Sequence, residues 1–303
     1  MLLQTLQSLQ EQRLSGFEIL VVDNAASLEV AGMVAEFDQT AKVASRYVSE
    51  PRLGLHYARH TGARHAHNQI LAFIDDDAIA DPGWLEGLLD GFVNDEVGCV
   101  GGKILLLWER EPPIWVRTYG PGYLSGLDLG DRVLELKEPG IYGCNLAIRK
   151  STLMQVGGFN PDSFGSIWLG DGETGLLRKV LLTSWKIIYT PKAVVSHVVP
   201  TSRMTLAYLK QRSANQGASS SYATYRQFRP SSARLLLSSI EQCAKGALLQ
   251  MLSIGYKAFG NDRRYHCEIR ASYYWRRSQN DLKLIYDRYL KGLVETDDWF
   301  SVM

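Results

Sequence analysis

Two short apolar runs, Phe17–Val22 (FEILVV) and Ile70–Ile74 (ILAFI), constrain the fold of this chain more than any other feature. Neither alternates polar and apolar residues, so each suits a strand buried on both faces. Each stops at polar residues: Asp23-Asn24 after the first, Asp75-Asp76-Asp77 after the second. Helical patterns surround them. Leu2, Leu3, Leu6 and Leu9 recur at helical spacing, a helix is expected through Met33 and Phe37, and the stretch from Leu55 to His67 reads as another. Residues 42–48 read as a second strand and residues 97–100 as a further one. Asp81-Pro82 supplies an N-cap and a first-turn proline for a helix carrying Trp84, Leu88 and Phe92. Strands alternating with helices at this spacing predict right-handed βαβ units and a mainly parallel sheet, hence an α/β fold.

Farther along, residues 108–140 are irregular and hold Trp108, Trp115, Tyr119 and Tyr123, a composition suited to a ligand-covering loop. Residues 143–148 return to strand-like sequence, and 173–182 to helix. Residues 185–189 and 193–197 read as two strands separated by Pro191. From Thr201 onward the pattern is helical, which divides the chain into an α/β domain over 1–200 and a helical extension over 201–303. Residues 1–200 carry 17 Lys and Arg against 24 Asp and Glu, a net of −7, whereas residues 201–303 carry 16 against 8, a net of +8. The basic tail is either a solvated helical surface or the partner of something anionic: a membrane surface, a phosphorylated lipid, or a diphosphate held by the body. Cys99, Cys144, Cys243 and Cys267 form no paired motif and read as free thiols of a reducing compartment. The start of the chain has no secretory pattern, and no run of about 18 apolar residues suggests a membrane span. A cytoplasmic protein, attached at most peripherally to the inner face of the cell membrane, is expected.

The acidic triplet carries the most chemistry. Three adjacent carboxylates are costly unless solvated or neutralised. They stand at the carboxyl end of a buried strand, where open α/β sheets hold ligands. Alternation along an extended chain lets Asp75 and Asp77 converge while Asp76 points elsewhere. Hard oxygen ligands suit Mg²⁺ or Mn²⁺, and a solvated acidic turn is the alternative. His197 ends the strand-like AVVSH and is either a structural hydrogen bonder or a metal ligand. Asp171 and Glu173 lie in LGDGE just before a helix; a carboxylate there either serves as general base or, for Asp171, caps the helix. Arg59 suits a phosphate or an ion pair. His56, His60, His65 and His67 read as surface residues rather than a zinc site.

Taken in order, EILVVDNAA (18–26), PRLGLHYAR (51–59), ILAFIDDDAIADPGWLE (70–86), YGCNLAIRKSTLMQVGGFNP (142–161), LGDGETGLLRK (169–179) and IIYTPKAVVSH (187–197) resemble the family 2 glycosyltransferases of the GT-A fold. The resemblance implies a role for each matching residue. Asp23, with Asn24 beside it, stands where an acid contacts the nucleotide base, and Arg59 where an arginine approaches the nucleotide. Asp75 and Asp77 match the ends of the DxD motif, with Asp76 between them, so Asp75 would hold ribose or metal and Asp77 would ligate the divalent cation. Asn145 falls in the segment lining the sugar. Asp171 or Glu173 matches the catalytic base, with Asp171 preferred, and His197 matches a strand-end histidine that completes some metal sites.

The activity so implied is inverting transfer of a sugar from a nucleotide-diphospho-sugar donor, expected to be a UDP-sugar, to a glycan or glycolipid acceptor, assisted by Mn²⁺ or Mg²⁺. Family members open with a strand that this sequence lacks, so a gap in the sheet is expected. Arg203, Arg212 and Gly217 fall on a tail helix positioned to close over the site, where either arginine could meet the diphosphate or form an ion pair. Two other classes compete: a non-catalytic sugar-nucleotide-binding scaffold, and a nucleotidyltransferase, which lacks support because no Gly-rich triphosphate loop opens the chain. No nucleic-acid-binding motif is present.

Overall fold

The computed structural model describes residues 1–165 and 167–301. Its elements run α1 (Leu2–Gln10), β1 (Ile19–Asp23), α2 (Leu28–Asp38), β2 (Ser45–Ser49), α3 (Leu55–His65), β3 (Ile70–Phe73), β4 (Ala78–Ala80), α4 (Trp84–Gly91), β5 (Val97–Trp108), α5 (Ile114–Tyr119) and β6 (Leu134–Leu136). There follow β7 (Leu146–Arg149), α6 (Lys150–Gln155), the short hairpin β8 (Ser163–Phe164) and β9 (Ile167–Trp168), α7 (Gly172–Leu181), β10 (Lys186–Val199), α8 (Leu206–Phe228), α9 (Ser232–Ala258), α10 (Arg263–Tyr286) and α11 (Arg288–Glu295). This is the expected α/β body with a helical extension.

The central sheet has the order β3-β7-β5-β10-β4, with β6 added on β10. β3, β5 and β10 run the same way, as the βα alternation predicts, while β7, β4 and β6 are reversed. β1 and β2 pair in parallel as a separate two-stranded sheet. Among the described residues no strand pairs with the other edge of β1 or β3. A cavity of about 570 Å³, lined by Ile19, Val22, Ala58, Leu71, Phe73, Trp84 and Leu88 among others, lies between them. The expected gap in the sheet is thus an apolar slot between two open strand edges.

Two expectations are corrected by length. The strand at 97–100 continues to Trp108, and the two strands around Pro191 are one, β10. The register of β10 on β5 jumps between Thr190 and Val194, so Pro191, Lys192 and Ala193 bulge out of the ladder and the proline costs it no hydrogen bond. Gly102, opposite the bulge, makes room for it: a methyl group there would overlap the Ala193 carbonyl oxygen. The 108–140 segment is also less irregular than expected, holding α5 and β6.

The core lies on both faces of the sheet. Leu6, Leu9, Trp84 and Leu88 cover one face with Val100 and Val195; Leu153, Phe159, Leu176 and Leu177 cover the other with Ile148 and Ile187. Each such side chain, fully buried, contributes roughly 1.5–3 kcal/mol. The fully buried Asn145 bolts three elements together, accepting from the Trp84 indole N–H at 2.8 Å and donating to the Lys103 and Ala193 carbonyls at 2.9 Å each. Cys99, Cys144 and Cys267 are buried free thiols, and Cys243 is exposed. None of the described helices is long and apolar enough to cross a membrane.

The bulge account predicts that Gly102→Ala lowers stability by about 1–3 kcal/mol in denaturant melts. Gly122→Ala, with open space around it, should stay within about 0.5 kcal/mol of wild type. Equal stability of the two variants would contradict it.

Candidate active site

The acidic triplet leaves β3 in a tight turn and returns in β4. Helix α1 braces that turn, with Thr5 Oγ1 donating to the Asp76 carbonyl at 3.0 Å and Ser8 Oγ accepting from the Ala80 N–H at 3.0 Å. β4 then pairs with β10, setting Ala78 opposite His197, and the Val198 N–H donates to the Asp77 carbonyl at 2.8 Å. The strand end at 77 and the strand end at 197 therefore meet. Asp76 is exposed and points away, as alternation predicts.

Asp77 and His197 are both buried. Asp77 Oδ1 lies 3.3 Å from His197 Nε2, while His197 Nδ1 faces the Leu124 carbonyl at 3.0 Å. Nδ1 must carry a proton to make that bond, so a neutral ring turns its Nε2 lone pair toward the carboxylate. Two acceptors in such proximity call for a cation. Arg203, just ahead of α8, provides one: its Nη1 donates to Asp77 Oδ2 at 2.9 Å and stands 3.3 Å from His197 Nε2. Burial raises the Asp77 carboxyl, but His197, in the protonated form that donates from Nε2, together with Arg203 outweighs it and holds the group below the usual carboxylate range.

A second charge cluster sits beside the first. Arg59 of α3 is buried, yet reaches Asp75 at 3.7 Å and Glu173 at 3.4 Å, with its guanidinium 4.9 Å over the Phe159 ring. It fits only because residue 143 is glycine: a Cβ there would collide with the guanidinium. Burial in the cleft, reinforced by Asp77 and Glu173, pushes Asp75 up against the opposing pull of Arg59. Asp162 was not singled out in the sequence. Burial and the charge of Glu173 push it up to about 6. Its carboxylate lies against the start of α7, where a Cβ on Gly172 would come within 2.8 Å of Oδ1. The sequence signal for it is its place in the Asn160-Pro161-Asp162 segment, with six residues between it and the LGDGE motif.

Asp171 is sealed within the fold. It occupies the N-cap position of α7, but its side chain makes no capping bond. It is 1% exposed, against 23% for Glu173, accepts from Asn160 Nδ2 at 2.9 Å, and is ion-paired with Arg226 of α8 and with Arg178. Asp171 therefore clamps the helical extension to the body.

Three other residues expected at the ligand are satisfied inside the fold. Asp23 accepts from the Ala25 and Ser27 N–H groups at 2.8 and 2.6 Å and from the Tyr47 hydroxyl at 3.0 Å. These bonds overcome its burial and keep it below the usual range. Asn24 bridges to Glu50, Arg52 and Gly54, holding the loop that starts α3. Asn145 is saturated within the core as described. The histidine reading also needs correction: His65 and His67 are exposed, but His56 and His60 are buried. One helical turn apart, they share the inner face of α3, and His60 Nε2 accepts from the Phe159 N–H at 2.8 Å.

Residues 1–157 match the sequence family described as Glycosyl transferase family 2. The glucosyl-dolichyl phosphate glucuronosyltransferase of Haloferax volcanii is 27% identical over 224 residues, covering 71% of this chain and 70% of that protein. The succinoglycan biosynthesis protein ExoM of Rhizobium meliloti is 25% identical over 219 residues, 71% of this chain and 69% of its own length. The pre-mycofactocin glycosyltransferase of Mycobacterium tuberculosis is 30% identical over 145 residues, and this chain spans only 29% of its length. Among solved structures, GalNAc-T7 with UDP, GalNAc and Mn²⁺ aligns at 18% identity and a TM-score of 0.47, over 70% of this chain and 45% of that one. With the family match spanning more than half of its residues, the chain belongs to glycosyl transferase family 2.

Proposed function

We propose that this glycosyltransferase moves a sugar from a nucleoside-diphosphate sugar, with a UDP-sugar as the expected donor, to a hydroxyl of a glycan or lipid-linked acceptor, inverting the anomeric configuration. The observation that carries the reading is the convergence of two clusters at the strand ends, Asp77–His197–Arg203 and Arg59–Asp75–Glu173. One buried and one half-buried cation beside carboxylates suit a diphosphate, and Arg59 and Arg203 are the groups that would hold it. The lipid-linked and polysaccharide-related relatives support the acceptor class.

The donor set at Asp77 and His197 fits a divalent cation: one hard carboxylate, one imidazole whose other nitrogen is oriented by a carbonyl, and a charge balance that already draws in a guanidinium. Among the described residues no three such side chains gather in metal-binding geometry. Asp77 and His197 would therefore be its protein ligands, with Asp75 turned to Arg59 instead. Bound there, Mn²⁺ or Mg²⁺ would neutralise charge on the departing diphosphate.

For the base, Glu173 is the better assignment than Asp171. It is the partly exposed acid at the cleft and keeps an oxygen beside Arg59, whereas Asp171 is sealed under Arg226. Glu173 takes the acceptor proton as the hydroxyl attacks the anomeric carbon, and the C–O bond to the diphosphate breaks on the opposite face. Arg59 holds the Glu173 carboxylate in place before the attack.

Release of UDP from a panel of UDP-sugars tests the assignment. Glu173→Gln should lower turnover about 10²- to 10⁴-fold with the melting temperature unchanged. Asp171→Asn should chiefly lower the melting temperature, with turnover per folded molecule within about tenfold of wild type. The reverse pattern would move the base to Asp171, and no release from any donor would remove the donor reading. A second prediction concerns Asp162. Its folded-state value, about 6, lies above the ordinary carboxylate value, so its stabilising contribution is lost as pH rises through that range. Asp162→Asn should raise the melting temperature by roughly 2–4 °C near pH 8, with the gain shrinking toward pH 4.5. A gain independent of pH would contradict the assigned cause.

A further inference from the structure

Helix α9 is built inside out. The face it turns to the protein is small and polar: Ser239, Gln242, Gly246 and Ser253 are buried there with Leu235. Ser239 bonds the Ser278 backbone and hydroxyl, and Ser253 bonds Arg264 and Glu268 of α10. The face turned outward is apolar along the whole helix. Leu237, Ile240, Leu248, Met251 and Ile254 are each more than half exposed, and Phe259 at its end is 89% exposed. At 3.6 residues per turn these side chains fall on one stripe, with Ala233, Ala244, Ala247, Gly255 and Ala258 filling the spaces between them. No polar side chain interrupts the middle of that stripe. At 27 residues it runs about 40 Å. A soluble surface does not ordinarily leave such a stripe to water.

The borders of the stripe are basic. Arg234 and Lys245 lie along one side and Lys257 along the other, with Glu241 the sole acid of the helix, and Arg263 follows at its end. The Tyr/Trp/Arg-rich α10 is by contrast packed into the protein. Tyr265 stacks on Trp115 at 4.3 Å, Arg270 lies over Tyr273 and Tyr274, and Gly246 of α9 sits against Trp275.

We propose that α9 is an interfacial membrane-binding helix, lying with its outward stripe in the boundary layer of an anionic lipid surface while its basic borders meet the headgroups. Charge decides between this occupant and a second copy of the chain. Two copies pairing stripe to stripe would bring like basic borders together, inside a tail that carries a net of +8, whereas an anionic surface complements them. The inference goes beyond the sugar-transfer reading and stands without it.

Flotation of the full chain with phosphatidylcholine vesicles, with and without phosphatidylglycerol, tests the proposal, with size-exclusion light scattering on the same samples. Wild type should float with the anionic vesicles at low salt and far less with neutral ones. Ile240→Glu/Met251→Glu, both fully outward, should weaken binding by about tenfold or more with helicity and melting unchanged. Arg234→Gln/Lys245→Gln/Lys257→Gln should weaken it and flatten its salt dependence. Absence of flotation at low salt, flotation unaffected by the two glutamates, or a dimer that those glutamates dissolve would each overturn the proposal.

Discussion

The short antiparallel contact between β4 and β10 is the constraint on which the rest of the site depends. It sets Ala78 opposite His197 and so holds the carboxylate of Asp77 against an imidazole and a guanidinium in a place sheltered from water. Shelter makes each of these charges costly alone and strongly coupled together. The bulge at 191–193 and the small residue at 102 let β10 keep its pairing with β5 up to that point, and α1 braces the acidic turn from behind. The chemistry at the strand ends thus rests on backbone register rather than on the side chains alone.

The helical extension is tied to the body at two charged points. Arg203 reaches Asp77 in the cleft, and Arg226 reaches the sealed Asp171 at the start of α7. Both use the basic tail to neutralise acids of the body, which accounts for part of the opposite charges of the two halves. Once α8 is anchored, α10 packs on it, and α9 is left outermost. Its polar inner face is spent on serine hydrogen bonds to α10, and its apolar face is the one that meets the surroundings.

Much of this was legible in the sequence because it depends on local pattern. The apolar runs at 17–22 and 70–74, the helices between them and the outward turn of Asp76 follow from periodicity of two and 3.6. What was not legible depends on partners distant in the chain. Asp23 finds Tyr47, Asn24 finds Glu50, and Asn145 finds Trp84 and Ala193, so three residues whose type suits ligand binding are satisfied within the fold. Asp171 and Glu173, two residues apart, face different surroundings because one meets Arg226 and the other Arg59, more than fifty positions away in either direction. The inner-face position of His56 and His60 was readable from their spacing of one helical turn. Pro191 misled in the opposite sense, since a bulge absorbs it without ending the strand.

The central claim is that the Asp77–His197–Arg203 and Arg59–Asp75–Glu173 clusters form one nucleotide-diphosphate site. Calorimetric titration of UDP and of GDP, with and without Mn²⁺, on the wild-type chain and on Asp77→Asn tests it most directly. The account predicts that one nucleotide binds, that binding requires the metal, and that the substitution weakens it about 10- to 100-fold. A folded protein that binds neither nucleotide, or one whose affinity is indifferent both to the metal and to Asp77, would contradict it.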